Sequence, residues 1–487
     1  MLLIAAAIST LAFAYGIHLF VFDRKYKLPP GPTPLPFVGN LHLLAGEKKD
    51  FVKYYQLAKG YGPVMTFYLG QNRVIILSGP KEIQEALVKN GKIFDKRPMK
   101  FSIGFDDMPY GVVFETGQKW QENRRFSLRA LRDFGMGKAA MVVNIQEEIR
   151  HLIGAFESHI GKPVNPNHML TNAVSNVISS LVFGRRFEYN DEKFEHFLKL
   201  LNKLVSTTIS DHLVRVFFPF GNHVIPPRAL REANALKAVV HELVHVVIEE
   251  HRKDFSPENI RDFPDVFINA EQEGNPIDYD TFLNVMVDLF GAGTETTSTL
   301  LGWLLFYLSK YPEIQRRCQD EIDQAIGSDR LPDISDRPKL VYIDAVINEI
   351  LRVVTIAPRA VFHGNEEKGY ISGYEIPEKS VVIYNVWGVH HDPEYWANPD
   401  EFNPDRWIDS DGKLLSHSTY FMPFGIGSRI CLGELMAKSE SFVFLTALLH
   451  RFTFRLDDSS KHLSVADGHP GLTHTPPGFK LVMESRS

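Results

Sequence analysis

Residues Thr281 to Lys310 carry a helical repeat about thirty residues long, and Tyr311-Pro312 stops it, because a residue before proline avoids the α region. At about 1.5 Å per residue this helix is about 45 Å long, so the chain must build a large, mainly helical body around it. Its middle breaks local rules. Gly291 and Gly293 each cost about 1 kcal/mol against alanine. Glu295, Thr296, Thr297, Ser298 and Thr299 then crowd polar and β-branched groups into the interior of the repeat. Violated propensities often mark function. Glycines, and hydroxyls bonding back to the i−4 carbonyl, loosen a turn and leave a groove for a small molecule. The plainer readings are a Thr296 hydroxyl satisfied by Ala292 and a solvated Glu295.

A second stretch, Phe424-Gly-Ile-Gly-Ser-Arg-Ile-Cys-Leu-Gly433, holds Cys431, one of two cysteines in 487 residues. With Cys318 alone beside it there is no disulfide framework. The glycines and the apolar run that follows describe a tight turn presenting a sulfur and then opening a helix. Unpaired N–H groups and the helix dipole there favour thiolate over thiol. Gly427 and Gly433 let backbone approach a flat ligand, and Arg429 can neutralise an acid on it. The plain alternative is a buried structural cysteine.

This stretch matches the haem-binding signature F-x-x-G-x-R-x-C-x-G of the cytochrome P-450 family at every fixed position. Ala292-Gly-Thr-Glu-Thr-Thr297 is similar to the family's oxygen-activation motif A-G-x-[DE]-T-[TS]. The resemblance is closest to the microsomal branch with animal family-2-type enzymes. It implies a mainly α fold with small β-sheets (α+β), one haem b, and Cys431 as its thiolate metal ligand. Thiolate donation favours O–O cleavage. Phe424, Gly427, Gly433 and Ala292 become haem contacts. Thr296 holds the proton network at the distal oxygen, and Glu295 relays protons from solvent.

Further motifs extend the resemblance. Trp120 and Arg124 stand at i, i+4 on one helix face, both donors only and suited to a carboxylate. The family carries this W-x-x-x-R and uses it on a haem propionate; on spacing alone a surface cation–π pair fits as well. Arg97 and His363 fall where relatives place other propionate partners. Phe362 stands where many relatives have proline. Glu349 and Arg352 at i, i+3 match the family's buried E-x-x-R scaffold pair, with Arg406 as third member and Trp407 in place of a commoner phenylalanine. Six basic residues between Lys119 and Lys138 are a solvated helix face, or, by resemblance, the docking face of NADPH–cytochrome P-450 reductase; cytochrome b5 is a second candidate partner.

A 44% hydrophobic composition supports a large core, and a formal charge of −6 argues against a nucleic-acid binder. Residues 2–22 carry no charged side chain and a basic flank follows. This predicts an N-terminal membrane anchor over 1–22, with the body on the cytoplasmic side. A cleaved signal peptide is the rival reading. A basic and proline-rich linker follows over 23–36, then the catalytic domain over 37–487. By resemblance the location is the endoplasmic reticulum membrane. By resemblance the loop over 98–114 lines the substrate pocket and offers Phe101, Ile103, Phe105 and Phe114, joined by Thr355, Ile356, Ala357, Leu472 and Thr473; a hydrophobic loop tucked into the core is the plain alternative. Residues 213–227 are apolar enough for a second membrane contact or a core turn. The expected function is insertion of one oxygen atom of O₂ into a lipophilic substrate (xenobiotic, fatty acid, eicosanoid or steroid), with NADPH electrons through the reductase. A haem-thiolate isomerase or dehydratase needing no reductase, and a haem sensor, are the alternatives.

Overall fold

The computed structural model describes residues 25–36, 38–47, 49–98, 111–133, 139–205, 228–274, 278–327, 330–416 and 418–486. Eleven α-helices of ten or more residues are found among them. In chain order they are α1 (Asp50–Tyr61), α2 (Gly117–Asp133), α3 (Ala139–Glu157), α4 (Asn167–Val182), α5 (Glu192–Val205), α6 (Arg228–His251), α7 (Phe263–Gln272), α8 (Tyr279–Lys310), α9 (Pro312–Ala325), α10 (Val341–Val353) and α11 (Glu434–Arg451).

The long helix α8 is the axis. Asp278 caps it, its carboxylate accepting from Thr281 N at 2.9 Å, so it starts two residues before the apolar repeat implies. It runs unbroken as α-helix to Lys310, and the loosened turn expected in its middle is not seen. The glycines serve packing instead. A Cβ on Gly293 would sit 3.2 Å from Ile178 of α4, and one on Gly291 3.2 Å from Leu201 of α5. The opening lies on another face, where Ala292 is exposed between buried Phe290 and Thr294. Phe282, Phe290, Trp303 and Phe306 anchor α8 in the main core, each buried ring worth about 1.5–3 kcal/mol against exposure.

The main sheet has strand order β1-β2-β6-β3, built from β1 (Val64–Leu69), β2 (Asn72–Leu77), β3 (His363–Gly364) and β6 (Val381–Tyr384). The predicted hairpin β1–β2 is present, and β6 joins β2 in parallel with Ile76 opposite Ile383. Both faces of β2 and β6 are covered, which is why these strands read as continuous apolar runs. Small hairpins β4–β5 (Gly369–Ile371, Tyr374–Ile376) and β8–β9 (His469–Pro470, His474–Thr475) and the pair β7–β10 (Phe452–Leu456, Leu481–Ser485) complete the α+β fold.

The proline run lies along β1 rather than standing free. Thr66 N and Oγ1 donate to Pro30 O and Pro29 O at 2.9 and 2.8 Å. Lys27 pairs its backbone with β5, accepting from Glu375 N at 2.9 Å and donating to Glu375 Oε2 at 3.0 Å. Residues 27–34 therefore belong physically to the body. Among the described residues no helix is long and apolar enough to cross a membrane. The anchor expected over 1–22 and the contact expected over 213–227 lie outside those residues.

Candidate active site

The cysteine turn forms because its glycines permit it. Gly425 and Gly427 take φ of +72° and +78°, conformations that cost other residues steric strain. A Cβ on Gly427 would overlap the carbonyl of Leu87, which sits in a one-turn π-helix (Glu85–Lys89). The constraint on Gly427 thus comes from the protein itself, whereas a Cβ on Gly433 would meet no protein atom within 4 Å. Cys431 N donates to Phe424 O at 2.9 Å, and α11 begins after Gly433. Cys431 is exposed as a residue, with its sulfur packed in among its neighbours. Burial raises its pKa despite the Gly433 N–H and the Arg124 charge, both of which lower it. The expected ease of ionisation at this helix start is therefore absent from the protein alone; a bound cation that takes the thiolate would supply it.

Three arginines converge beside the turn. Arg97 donates to the carbonyls of Val113, Val361 and Phe362. Arg124 donates to Ile430 O at 2.7 Å, next to Cys431. Arg429 donates to Asp95 O and Glu115 O, and its guanidinium lies 3.8 Å from the centroid of the Trp120 ring. Among the described residues none of the three is hydrogen-bonded to a carboxylate. Burial pulls Arg429 down to about 8, with Arg97 adding repulsion, and pulls Arg97 down to about 10. Among the described residues Arg429 Nη1 and Trp120 Nε1 are buried donors without a partner. Such atoms cost about 1–3 kcal/mol each. A site of buried cations with no carboxylate bonded to them, and of orphaned donors, beside Cys431, fits a haem: two carboxylates for the donors and an iron for the thiolate. Phe424 is half-buried there, with Lys438 over its ring.

His363 fits the propionate role less directly. Its Nδ1 donates to Phe94 O at 2.7 Å, while burial and Arg97 hold the ring neutral. Nε2 then offers a lone pair, not a proton, and a carboxylate alongside would have to raise its pKa first.

On α8, Thr296 Oγ1 donates to Ala292 O at 2.7 Å, as the plain reading had it. Glu295 is not a solvated charge. It is 7% exposed, and Thr473 Oγ1 donates to its Oε1 at 3.1 Å. Burial raises its pKa, and the Thr473 and Thr299 hydroxyls pull it back. Leu472 is exposed beside this contact, Ile356 accepts from His474 N, and Ala357 and Phe114 are half-buried. Thr355 is turned into the scaffold instead of the pocket: at φ +52° its hydroxyl donates to Arg352 O and meets His390 Nδ1 at 2.9 Å. Phe101, Ile103 and Phe105 lie outside the described residues.

The scaffold motif closes on itself. Arg352 and Glu349, both 0% exposed, pair at 2.9 and 2.8 Å; Arg406 Nε reaches Glu349 Oε1 at 3.0 Å. Trp407 Nε1 donates to Glu349 Oε2 at 2.9 Å, a bond a phenylalanine would lack and one unexpected from the sequence. Asp288 was also missed. Its Oδ2 accepts from Val112 N and Val113 N at 2.7 and 2.8 Å, fixing the end of the pocket loop to α8, and burial pushes its carboxyl up to about 6. A lone acid in the apolar run of α8 was the available signal.

The sequence profile of the family described as Cytochrome P450 matches residues 29–483. Cytochrome P450 2J2 of Homo sapiens is 37% identical over 97% of this chain and 94% of its own length. Cytochrome P450 2B19 of Mus musculus is 36% identical over 98% of each chain, and Cytochrome P450 2U1 of Mus musculus 34% over 95% of this chain and 92% of its own. The chain belongs to the cytochrome P450 family and is a haem-thiolate monooxygenase.

Proposed function

We propose that this cytochrome P450 oxidises a lipophilic substrate at the endoplasmic reticulum membrane, with electrons from NADPH delivered by a separate flavoprotein reductase. The bound haem supplies the oxygen chemistry, with Cys431 as its thiolate ligand. Arg429, Trp120 and Arg124 would hold its propionates, and Arg97 would add charge beside them. The chain's own work is positioning and proton supply. Glu295 takes protons from water and passes them toward Thr296, whose hydroxyl orders the site on the Ala292 face. Leu472, Ile356, Ala357 and Phe114 offer apolar contact and exclude water. Lys119, Arg125, Arg129 and Arg132 stand exposed on α2, while Arg124 turns inward; this face would receive the acidic reductase or cytochrome b5.

The observation that carries the reading is Glu295, a buried carboxyl one residue from Thr296 with its pKa raised. An isomerase has no need for delivered protons of this kind. The test is reconstitution with purified reductase, NADPH and labelled O₂ against a panel of fatty acids, steroids and xenobiotics. Product gaining one labelled oxygen supports the proposal. No labelled product from any member of the panel, together with isomerisation of a hydroperoxide without NADPH or reductase, would overturn it.

A further inference from the structure

The turn between β8 and β9 touches α8 at one charged group. Thr473 Oγ1 donates to Glu295 Oε1 across 178 residues of sequence, and both side chains are buried. The backbone of the turn is held on either side of Leu472. Gly471 N donates to Thr473 O at 2.9 Å, His474 N to Ile356 O at 2.8 Å, and Trp303 Nε1 to His474 O at 2.7 Å, while Arg359 donates to Gly471 O. Leu472, in contrast, is 37% exposed. Meanwhile the Thr296 hydroxyl is occupied by Ala292 O and makes no bond to Glu295.

We infer that Thr473 is a positioning residue for proton delivery: its hydroxyl seats the Glu295 carboxylate away from Thr296, and displacement of Leu472 by substrate unseats it. This rests on Glu295 being the relay. The seat holds the ionised form, because a hydroxyl donor favours carboxylate over acid. Once unseated, the carboxylate loses that support inside a buried site. It takes a proton from water, gives one toward Thr296, and ends each cycle as it began. The groups facing Glu295 are the Thr473 and Thr299 hydroxyls. His474, the nearest titratable group on the turn, is spent on Val354 O and Lys49. Substrate would thereby control when protons arrive, and an empty pocket would waste few electrons.

The test compares Thr473→Val, Thr473→Ser and Glu295→Gln. The readouts are the Glu295 carboxyl stretch titrated by infrared difference in the resting protein, and peroxide released per NADPH during turnover. Thr473→Val should move the carboxyl titration up by about one pH unit. It should also raise peroxide release severalfold without substrate, with KM unchanged; Thr473→Ser should restore both. A merely structural role would lower thermal stability and leave the titration in place. If Thr473→Val takes up no haem, Thr473→Ala is read by the same titration. Wild-type titration and peroxide release in the valine variant, with Glu295→Gln uncoupled, would overturn this inference alone. Normal coupling in Glu295→Gln would overturn the relay and the inference with it.

Discussion

Two clusters of arginines in the protein are built in opposite ways. Around Glu349 every charge is answered. Arg352 and Arg406 reach its carboxylate, Trp407 caps the remaining side, and the spare guanidinium donors of Arg352 end on the carbonyls of His390, Pro399 and Glu401. Around Arg429 no carboxylate among the described residues is hydrogen-bonded to a guanidinium; Asp95 and Glu115 lend only their backbone carbonyls and a charge acting through space. Arg97 and Arg124 add charge, and two donors have no acceptor among the described residues. A satisfied network holds a fold together; an unsatisfied one is shaped for something the chain does not contain. Residue type alone does not separate the two, since both are arginines beside a tryptophan.

The sharpest way to break this contrast is at the sulfur. Cys431→Ala should abolish turnover and the red-shifted Soret band of the reduced carbon monoxide complex, while the apoprotein keeps its helical content by circular dichroism. Next in size, Glu349→Gln leaves Arg352 buried without its partner and should cost about 3–5 kcal/mol, in apoprotein and holoprotein alike, by urea unfolding. Trp120→Phe should do the reverse: no loss of apoprotein stability, but about tenfold faster haem release to an acceptor globin, from one lost charge-assisted bond. If that variant destabilises the apoprotein as Glu349→Gln does, the two sets are not different in kind.

The smallest effect concerns acid. Burial holds His391 and His474 down to about 3, below their unfolded value near 6.5. Between those limits the unfolded chain binds more protons, so stability is full above about pH 6.5 and falls as pH drops toward 3. Unfolding at pH 5 should take up about two protons through these rings, measured by calorimetry in buffers of different ionisation heat.

Much of this was legible in the chain. The α8 repeat and its Tyr311-Pro312 stop are local signals, and so are the turn before α11 and the i, i+3 pair in α10. What escaped depends on contacts between distant residues or on backbone signs that no pattern carries. Thr355 looked like a pocket residue until its positive φ turned it inward. Trp407 looked like a harmless replacement until its indole met Glu349. The glycines of α8 looked like a loosened turn, yet they admit Ile178 and Leu201. Thr473 gained its meaning only when folding set it against Glu295.

The carbonyl of Leu87 under Gly427 has one more consequence. Those two segments are more than three hundred residues apart, yet neither can drift alone. A library randomised from 424 to 433 should return glycine at 427 almost without exception. A single-residue deletion in the π-turn at 85–89 should be tolerated there only together with compensating changes in the cysteine loop. The pair is a built-in gauge for chimeras: a crossover between them succeeds only when both parents set the same gap.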